Sequence, residues 1–113
     1  MVQSVVADDV FGALSNPTRR EVLERLSSGP ATVSELAARF DMKLPSFVQH
    51  LAVLEQSRLV RSKKRGRVRT YEIAPERFNV VEDWLTARRR MWEARLDRFD
   101  HYVKQLKDKE PES

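Results

Sequence analysis

Apolar side chains in the first part of the chain recur at the spacing of amphipathic α-helices. Residues 6–14 carry them at i, i+4, i+5 and i+8, which predicts a first helix. A second helix is predicted to begin at Pro17, with Asn16 as its N-cap, and to end at the Ser-Ser-Gly-Pro segment of residues 27–30. Each of these helices has one apolar face that must pack against another element.

Residues 32–56 have the pattern of two helices joined by a tight turn. Thr32 and Glu35 are spaced as a capping box in front of an apolar face that ends at Phe40. The next helix is predicted to have Pro45 at its first position. Its buried face is predicted to consist of Phe47, Val48, Leu51 and Leu54. This arrangement is a helix-turn-helix pattern.

From residue 58 onward the apolar residues alternate with polar ones instead of following a helical period. Residues 58–63 and 68–73 are predicted to form two strands, joined by residues 64–67, in which Gly66 can take the positive φ of a tight turn. A helix-turn-helix followed directly by a hairpin is typical of a winged helix. The predicted fold class is therefore mainly α with a small β-hairpin: a winged helix-turn-helix with four helices before the hairpin and one after it.

The last third of the chain is predicted to form one long helix over residues 79–106, with Asn79 and Glu82 as candidate capping residues. At 1.5 Å per residue such a helix is roughly 40 Å long, more than a small winged domain covers with its own surface. We therefore expect the first and last helices to form a homodimer interface, while the alternative that the long helix folds back on its own domain stays open. The residues expected at the dimer interface are Val6, Val10, Trp84, Met91, Trp92, Leu96, Phe99, Tyr102 and Val103.

Length and composition limit the classes of protein that fit this pattern. A chain of 113 residues is long enough for one domain with one core, so residues 1–113 are predicted to form a single winged helix-turn-helix domain. The absence of cysteine excludes disulfides, thiolate metal sites and cysteine nucleophiles. The first ten residues lack the features of a signal peptide, and no apolar run is long enough to span a bilayer, so a cytoplasmic protein with no membrane partner is expected.

The positive charge of the chain is concentrated in the predicted hairpin. The formal net charge is +4, yet residues 58–69 contain seven Lys and Arg and no Asp or Glu. Without this segment the chain would be net negative. Such a concentration is typical of a surface that binds a polyanion, and a solvated hairpin tip without a partner is the simpler alternative.

A second polar surface is expected on the helix that begins at Pro45. Ser46, Gln49 and His50 lie opposite its buried stripe, where a recognition helix presents side chains to the major groove of DNA. Lys43 precedes the helix start, where a phosphate is favoured. We expect this helix to determine sequence preference and the hairpin cations to supply affinity. The expected contacts with double-stranded DNA are Lys43, Pro45, Ser46, Gln49, His50, Lys63, Lys64, Arg65, Arg67 and Arg69.

Neither catalysis nor metal binding is predicted from the motifs. The sequence contains no Gly-rich phosphate loop, no GxSxG or HExxH motif and no Ser/His/Asp set, so the chain is not expected to be an enzyme or to hold a cofactor. Asp97 and His101 are one helical turn apart, but a metal site needs three or four ligands, which only a dimer could supply there.

At these motifs the sequence resembles the ArsR family of bacterial winged-helix regulators. The similar stretches are LSNPTRREVLERL, the region from TVSELAARF to LEQSRLV, and GRVRTYEI, and the long helix resembles that of a metal-free subgroup related to autorepressors of small operons. The resemblance implies a homodimer held by its first and last helices, which binds an imperfect palindrome and represses by blocking promoter access. The third helix, SELAARF, lacks the cysteine pair of the family's metal sensors, so metal sensing is not implied.

Two positions depart from the family pattern, and two alternatives to a sequence-specific repressor stay open. Gln49 replaces the serine that is common before the family's His-Leu pair, and Ser57 and Arg58 stand where a glycine often closes the helix. One alternative is a regulator that responds to a metal or an unknown small molecule bound at the dimer helices. The other is a winged helix that binds only proteins, which the cationic hairpin argues against.

Overall fold

The predicted helices and hairpin are present in the structure, a computed structural model that describes residues 2–109 and the side chains of residues 5–109. The helices within these residues are α1 (Val2–Leu14), α2 (Pro17–Leu26), α3 (Val33–Ala37), α4 (Leu44–Gln56) and α5 (Glu76–Lys109). The strands are β1 (Ala31–Thr32), β2 (Val60–Arg65) and β3 (Val68–Ile73). The fold is mainly α with a small antiparallel sheet, as the sequence predicts.

The chain forms two compact units. The first ends at Val81 and contains α1 to β3 with the first turns of α5, and the second begins at Glu82 and consists of the rest of α5. The assignment of the whole chain to one domain, with the helix-turn-helix at 32–56 and the wing at 58–73, stays a prediction.

The core of the first unit is built around α4. Phe47, Leu51 and Leu54 are at most 1 % exposed, and they cluster with buried residues from the other elements of this unit. The prediction that Val48 belongs to this buried face is wrong, because its side chain is 44 % exposed. One residue corresponds to about 100° of helix rotation, which places Val48 beside the stripe that Phe47 begins.

The sheet has one strand more than the predicted hairpin. β1 pairs with β3, with Ala31 opposite Tyr71 and Thr32 opposite Thr70, and the strand order is β1-β3-β2. Thr32 is also the N-cap of α3, and the predicted capping box with Glu35 is present. The start of the helix-turn-helix is therefore hydrogen-bonded directly to the wing.

The turn of the wing is shorter than predicted. β2 and β3 pair up to Arg65 and Val68, which leaves only Gly66 and Arg67 between them. Gly66 has φ 59°, the positive value expected for it. Lys64 and Arg65 thus extend from a strand rather than from a loop.

The long helix begins earlier than predicted. α5 starts at Glu76, directly after Pro75, and the amide of Asn79 donates to the carbonyl of Pro75 at 3.2 Å. Asn79 and Glu82 therefore lie inside the helix, and their assignment as capping residues is wrong. Pro75 cannot donate a backbone hydrogen bond and has a helix-compatible φ, so it stands naturally just before the first turn.

The end of α4 is closed by a Schellman motif with an arginine at the left-handed position. The amide of Arg58 donates to the carbonyl of Glu55 at 3.0 Å, and the amide of Leu59 donates to that of Leu54 at 3.1 Å. Arg58 has φ 61°, a conformation in which a Cβ atom is unfavourable. Arg58 thus occupies the left-handed position after the helix end that glycine usually holds in this motif.

We expect Arg58→Gly to raise the free energy of unfolding by up to about 1 kcal/mol, because glycine removes the steric cost of the left-handed backbone. Urea unfolding followed by circular dichroism measures this change. Arg58→Ala is the matched control, since it removes the same charge and keeps the Cβ atom. An equal gain in both variants would show that charge, not backbone conformation, determines stability at this position.

Candidate nucleic-acid interface

The exposed side of α4 carries most of the side chains expected to face DNA. Lys43 is the N-cap residue and makes no side-chain capping hydrogen bond, and Pro45 lies in the first turn. Ser46 and Gln49 follow on the exposed surface. The first-turn amides that point out of the helix are thus left without a side-chain acceptor, which favours a phosphate at this end of α4.

His50 differs from these neighbours because it is half-buried. Its Nδ1 atom lies 3.1 Å from Nη1 of Arg19, a residue of α2. Burial, and secondly the charge of Arg19, lower the pKa of the His50 imidazole below its usual value of 6.5. Both effects favour the neutral form of the ring.

The wing tip carries three cations without an intramolecular partner. Lys64, Arg65 and Arg67 are exposed, and within residues 5–109 they form no salt bridge or side-chain hydrogen bond. Lys63 is also exposed, and its charge contributes to a lowered pKa of the nearby Glu72. The three tip cations are the ones most available to a polyanion.

Two other arginines of the wing are held by the protein itself. Arg69 is half-buried and donates from Nη1 to Oγ of Ser62 at 2.7 Å, and this hydroxyl donates to a carboxylate oxygen of Glu55 at 2.7 Å. Arg61 donates from Nε to Glu72 at 2.8 Å, which raises the pKa of the guanidinium and lowers that of the carboxylate. Arg69, one of the predicted DNA contacts, is thus linked through Ser62 to Glu55 of α4.

A cleft of about 540 Å³ lies between the exposed side of α4 and the wing, within the first unit. Its walls include Val48 from α4, Lys64 and Arg67 from the wing tip, and Ser34 from α3. From α4 the cleft is lined by Val48 and Leu51, while Ser46, Gln49 and His50 are not among its lining residues.

Three exposed apolar residues of α4 and the wing were not among the predicted contacts. Leu44, Val48 and Val68 are 56 %, 44 % and 50 % exposed, and Val48 and Val68 line the cleft. In the major groove an apolar side chain contacts the thymine methyl group. Leu44 and Val48 lie beside the buried stripe of α4 when the helix is viewed along its axis. This position could have identified them from the sequence as apolar residues at the edge of the exposed face.

The second unit has a long row of exposed apolar side chains. Five of the residues predicted at the dimer interface have highly exposed side chains. The exposed fractions are Met91 43 %, Trp92 60 %, Leu96 58 %, Phe99 62 % and Tyr102 59 %. Trp84 and Val103 are half-buried, and the guanidinium of Arg88 lies 4.8 Å from the Trp84 ring centroid.

In the first unit, Val6 is half-buried, whereas Val10 is 0 % exposed and belongs to the core of that unit. The assignment of Val10 to the dimer interface is therefore corrected, since its side chain is already fully covered.

Among the described residues, no three His, Asp or Glu side chains are grouped closely enough to hold a metal ion. The side-chain partner of His101 is Gln105, whose Nε2 donates to the His101 Nε2 at 3.1 Å. Over residues 2–109, no helix is both long and apolar enough to cross a membrane.

Comparison with known proteins identifies the helix-turn-helix and the fold around it. A helix-turn-helix domain family matches residues 14–63. HTH-type transcriptional regulator Rv2034 of Mycobacterium tuberculosis is 41 % identical over 68 residues, which cover 60 % of this chain and 64 %, just under two thirds, of that protein. Transcriptional repressor SdpR of Bacillus subtilis is 33 % identical over 69 % of this chain and 87 % of its own length.

Solved structures agree with these matches. An ArsR family transcriptional regulator, RHA00566, has a TM-score of 0.77 and 53 % identity, over 80 % of this chain and 93 % of its own. A homodimeric winged helix-turn-helix DNA-binding domain from Mycobacterium bovis has a TM-score of 0.59 and 25 % identity, over 76 % and 82 % of the two chains. The chain described here belongs to the ArsR family of winged helix-turn-helix transcriptional regulators, which bind DNA and are not enzymes.

Proposed function

We propose that this regulator acts as a homodimer on a two-fold symmetric DNA site in the cytoplasm and represses transcription there. The observation that carries the proposal is the cleft between α4, which contributes Val48, and the wing-tip cations Lys64 and Arg67. In this arrangement α4 enters the major groove, while the wing contacts the flanking phosphates. The repressor SdpR and the homodimeric domain from Mycobacterium bovis support the repressor and dimer parts of the proposal.

The roles of the side chains follow from their chemistry. Gln49 is exposed and its amide can pair with both the N6 and the N7 atoms of adenine, so it contributes sequence preference. Lys64, Arg65 and Arg67 neutralise phosphates, so they contribute affinity for any sequence. Arg69 contributes mainly by holding the wing through Ser62 and Glu55.

Selection of bound duplexes from a random library with the purified protein tests the proposal. We expect two inverted half-sites whose centres are about 34 Å, or one helical turn, apart. No measurable affinity for any duplex at low salt would rule the proposal out, and selection of a single half-site without symmetry would rule out the dimer.

Replacement of Gln49 is expected to weaken sequence discrimination more than binding itself. Loss of one bidentate base contact should reduce the preference for the selected base by about 5- to 100-fold in Gln49→Ala, because such contacts contribute about 1–3 kcal/mol. Gel shifts with the selected duplex and with single-base variants measure this ratio. Gln56→Ala is the matched control, since Gln56 is an exposed residue two turns further along the same helix, away from its N-terminal end.

A further inference from the structure

Arg19 connects the end of α1 to the middle of α4. Its Nε donates to the carbonyl of Ala13 at 2.7 Å, and its Nη2 donates to the carbonyl of Gly12 at 3.1 Å. Its remaining terminal nitrogen, Nη1, lies 3.1 Å from Nδ1 of His50. The guanidinium is thus fixed in position by two backbone carbonyls and directed at one ring nitrogen of the candidate DNA-binding helix.

The chemistry of the two groups determines where the imidazole proton is. A guanidinium has donors only, so His50 Nδ1 must be the acceptor and carries no hydrogen. A neutral imidazole has one N–H, which is then at Nε2. Burial, and secondly the charge of Arg19, lower the His50 pKa, so both disfavour a second proton on the ring. In the other tautomer, two N–H groups would face each other across this short distance.

The Nε2 atom is open to a partner from outside the protein. It has no hydrogen bond within the described part of the chain, where the hydrogen bond of the His50 side chain is the one between Nδ1 and Arg19. Among the same residues, no buried side-chain nitrogen is left without a hydrogen bond, so Nε2 must reach the solvent. His50 follows Gln49 on α4, the helix proposed to enter the major groove.

We propose that Arg19 is a positioning residue that fixes His50 as the Nε2–H tautomer, so that α4 offers the duplex a hydrogen-bond donor and not an acceptor at this position. This inference rests on the proposed DNA-binding function. The partner it selects is an acceptor atom: N7 or O6 of guanine, N7 of adenine, O4 of thymine, or a phosphate oxygen. The amino groups of cytosine and adenine, which are donors, are disfavoured opposite His50.

The tautomer is measured first on the free protein, where DNA plays no part. The chain has only two histidines, so ¹H–¹⁵N correlation spectra of the ring nitrogens can be assigned with a His101→Gln variant. At pH 7 we expect His50 to show a protonated Nε2 and a bare Nδ1. Protonation at Nδ1, an even mixture of tautomers or a charged ring would overturn the proposal.

A pair of variants then tests whether Arg19 is the cause. Arg19→Met is expected to give a mixture of tautomers and to move the His50 titration midpoint toward higher pH. Arg20→Met is the matched control, because Arg20 also bonds the end of α1, through the Leu14 carbonyl at 2.8 Å, but does not contact His50. If the His50 signals respond equally to both substitutions, the tautomer does not come from Arg19.

The role in DNA binding is measured with the selected duplex. His50→Ala should lower affinity about three- to tenfold, the loss of one hydrogen bond. Methylphosphonate linkages opposite His50 replace a phosphate oxygen and keep every base acceptor, so a loss of affinity identifies a phosphate partner and unchanged affinity a base partner. 7-Deazapurines then distinguish N7 from O6 and O4, because they remove N7 alone. If wild-type protein binds no duplex, the proposed function fails; if it binds and His50→Ala is neutral, only the present inference fails.

Discussion

Replacing Lys64, Arg65 and Arg67 together with alanine is expected to lower affinity for every duplex by about a hundredfold near physiological salt. Each phosphate contact releases condensed counterions and contributes about 0.9 to the slope of log K against log salt, so three contacts contribute about 3. Fluorescence anisotropy between 50 and 300 mM salt, on the selected duplex and on an unrelated one, measures both affinity and slope. The loss should be similar for the two duplexes, because phosphates carry no sequence information.

Arg61→Ala is the matched control for this experiment. Arg61 lies on the same hairpin, but its guanidinium is paired with Glu72 at 2.8 Å and with Glu76 at 3.5 Å. Such exposed ion pairs contribute little to stability, so the variant should fold and keep the salt slope of the wild type. An equal loss of slope in Arg61→Ala would mean that total positive charge, rather than the wing tip, attracts DNA. An unchanged slope in the triple variant would remove the wing from the interface.

The elements of the fold could be predicted from the sequence wherever many residues carry the same signal. The buried face of α4 repeats over about two turns, and Thr32 with Glu35 marks the start of α3 by direct hydrogen bonds. β1 could not be predicted, because two residues are too few to show alternation and its pairing with β3 depends on tertiary contact. The start of α5 was misplaced since Asn79 resembles a cap, whereas Pro75 was already sufficient to begin the helix.

The candidate site was predictable in its location and less so in its individual contacts. Charge density along residues 58–69 indicates the wing. Which of its cations lack a partner depends on the side chains that lie opposite them in the sheet. Arg69 illustrates this: strand alternation places it on the same face as the buried Tyr71, where Ser62 accepts its hydrogen bond. The contact of Arg19 with His50 joins residues 31 positions apart, which no local pattern reveals.

Replacing Leu96 and Phe99 together with glutamate is expected to convert the proposed homodimer into a monomer. These side chains are 58 % and 62 % exposed, and with Trp92, Val103 and Leu106 they are spaced alternately by four and three residues, the repeat of a helix–helix seam. A carboxylate buried there without a partner costs several kcal/mol, so the dimer dissociation constant should rise by about a thousandfold or more. Sedimentation equilibrium at micromolar concentrations measures this change.

Ala87→Glu combined with Ala94→Glu is the matched control for the dimer experiment. Both alanines are exposed on α5, and Ala94 lies about 160° around the helix from Leu96, so the control adds the same two charges on the other side. It should remain a dimer and keep its affinity for the selected duplex. The Leu96 and Phe99 variant should lose most of that affinity, because each monomer contacts only one half-site. A wild-type monomer, or a dimer unaffected by the two glutamates on the apolar row, would exclude α5 as the dimer interface.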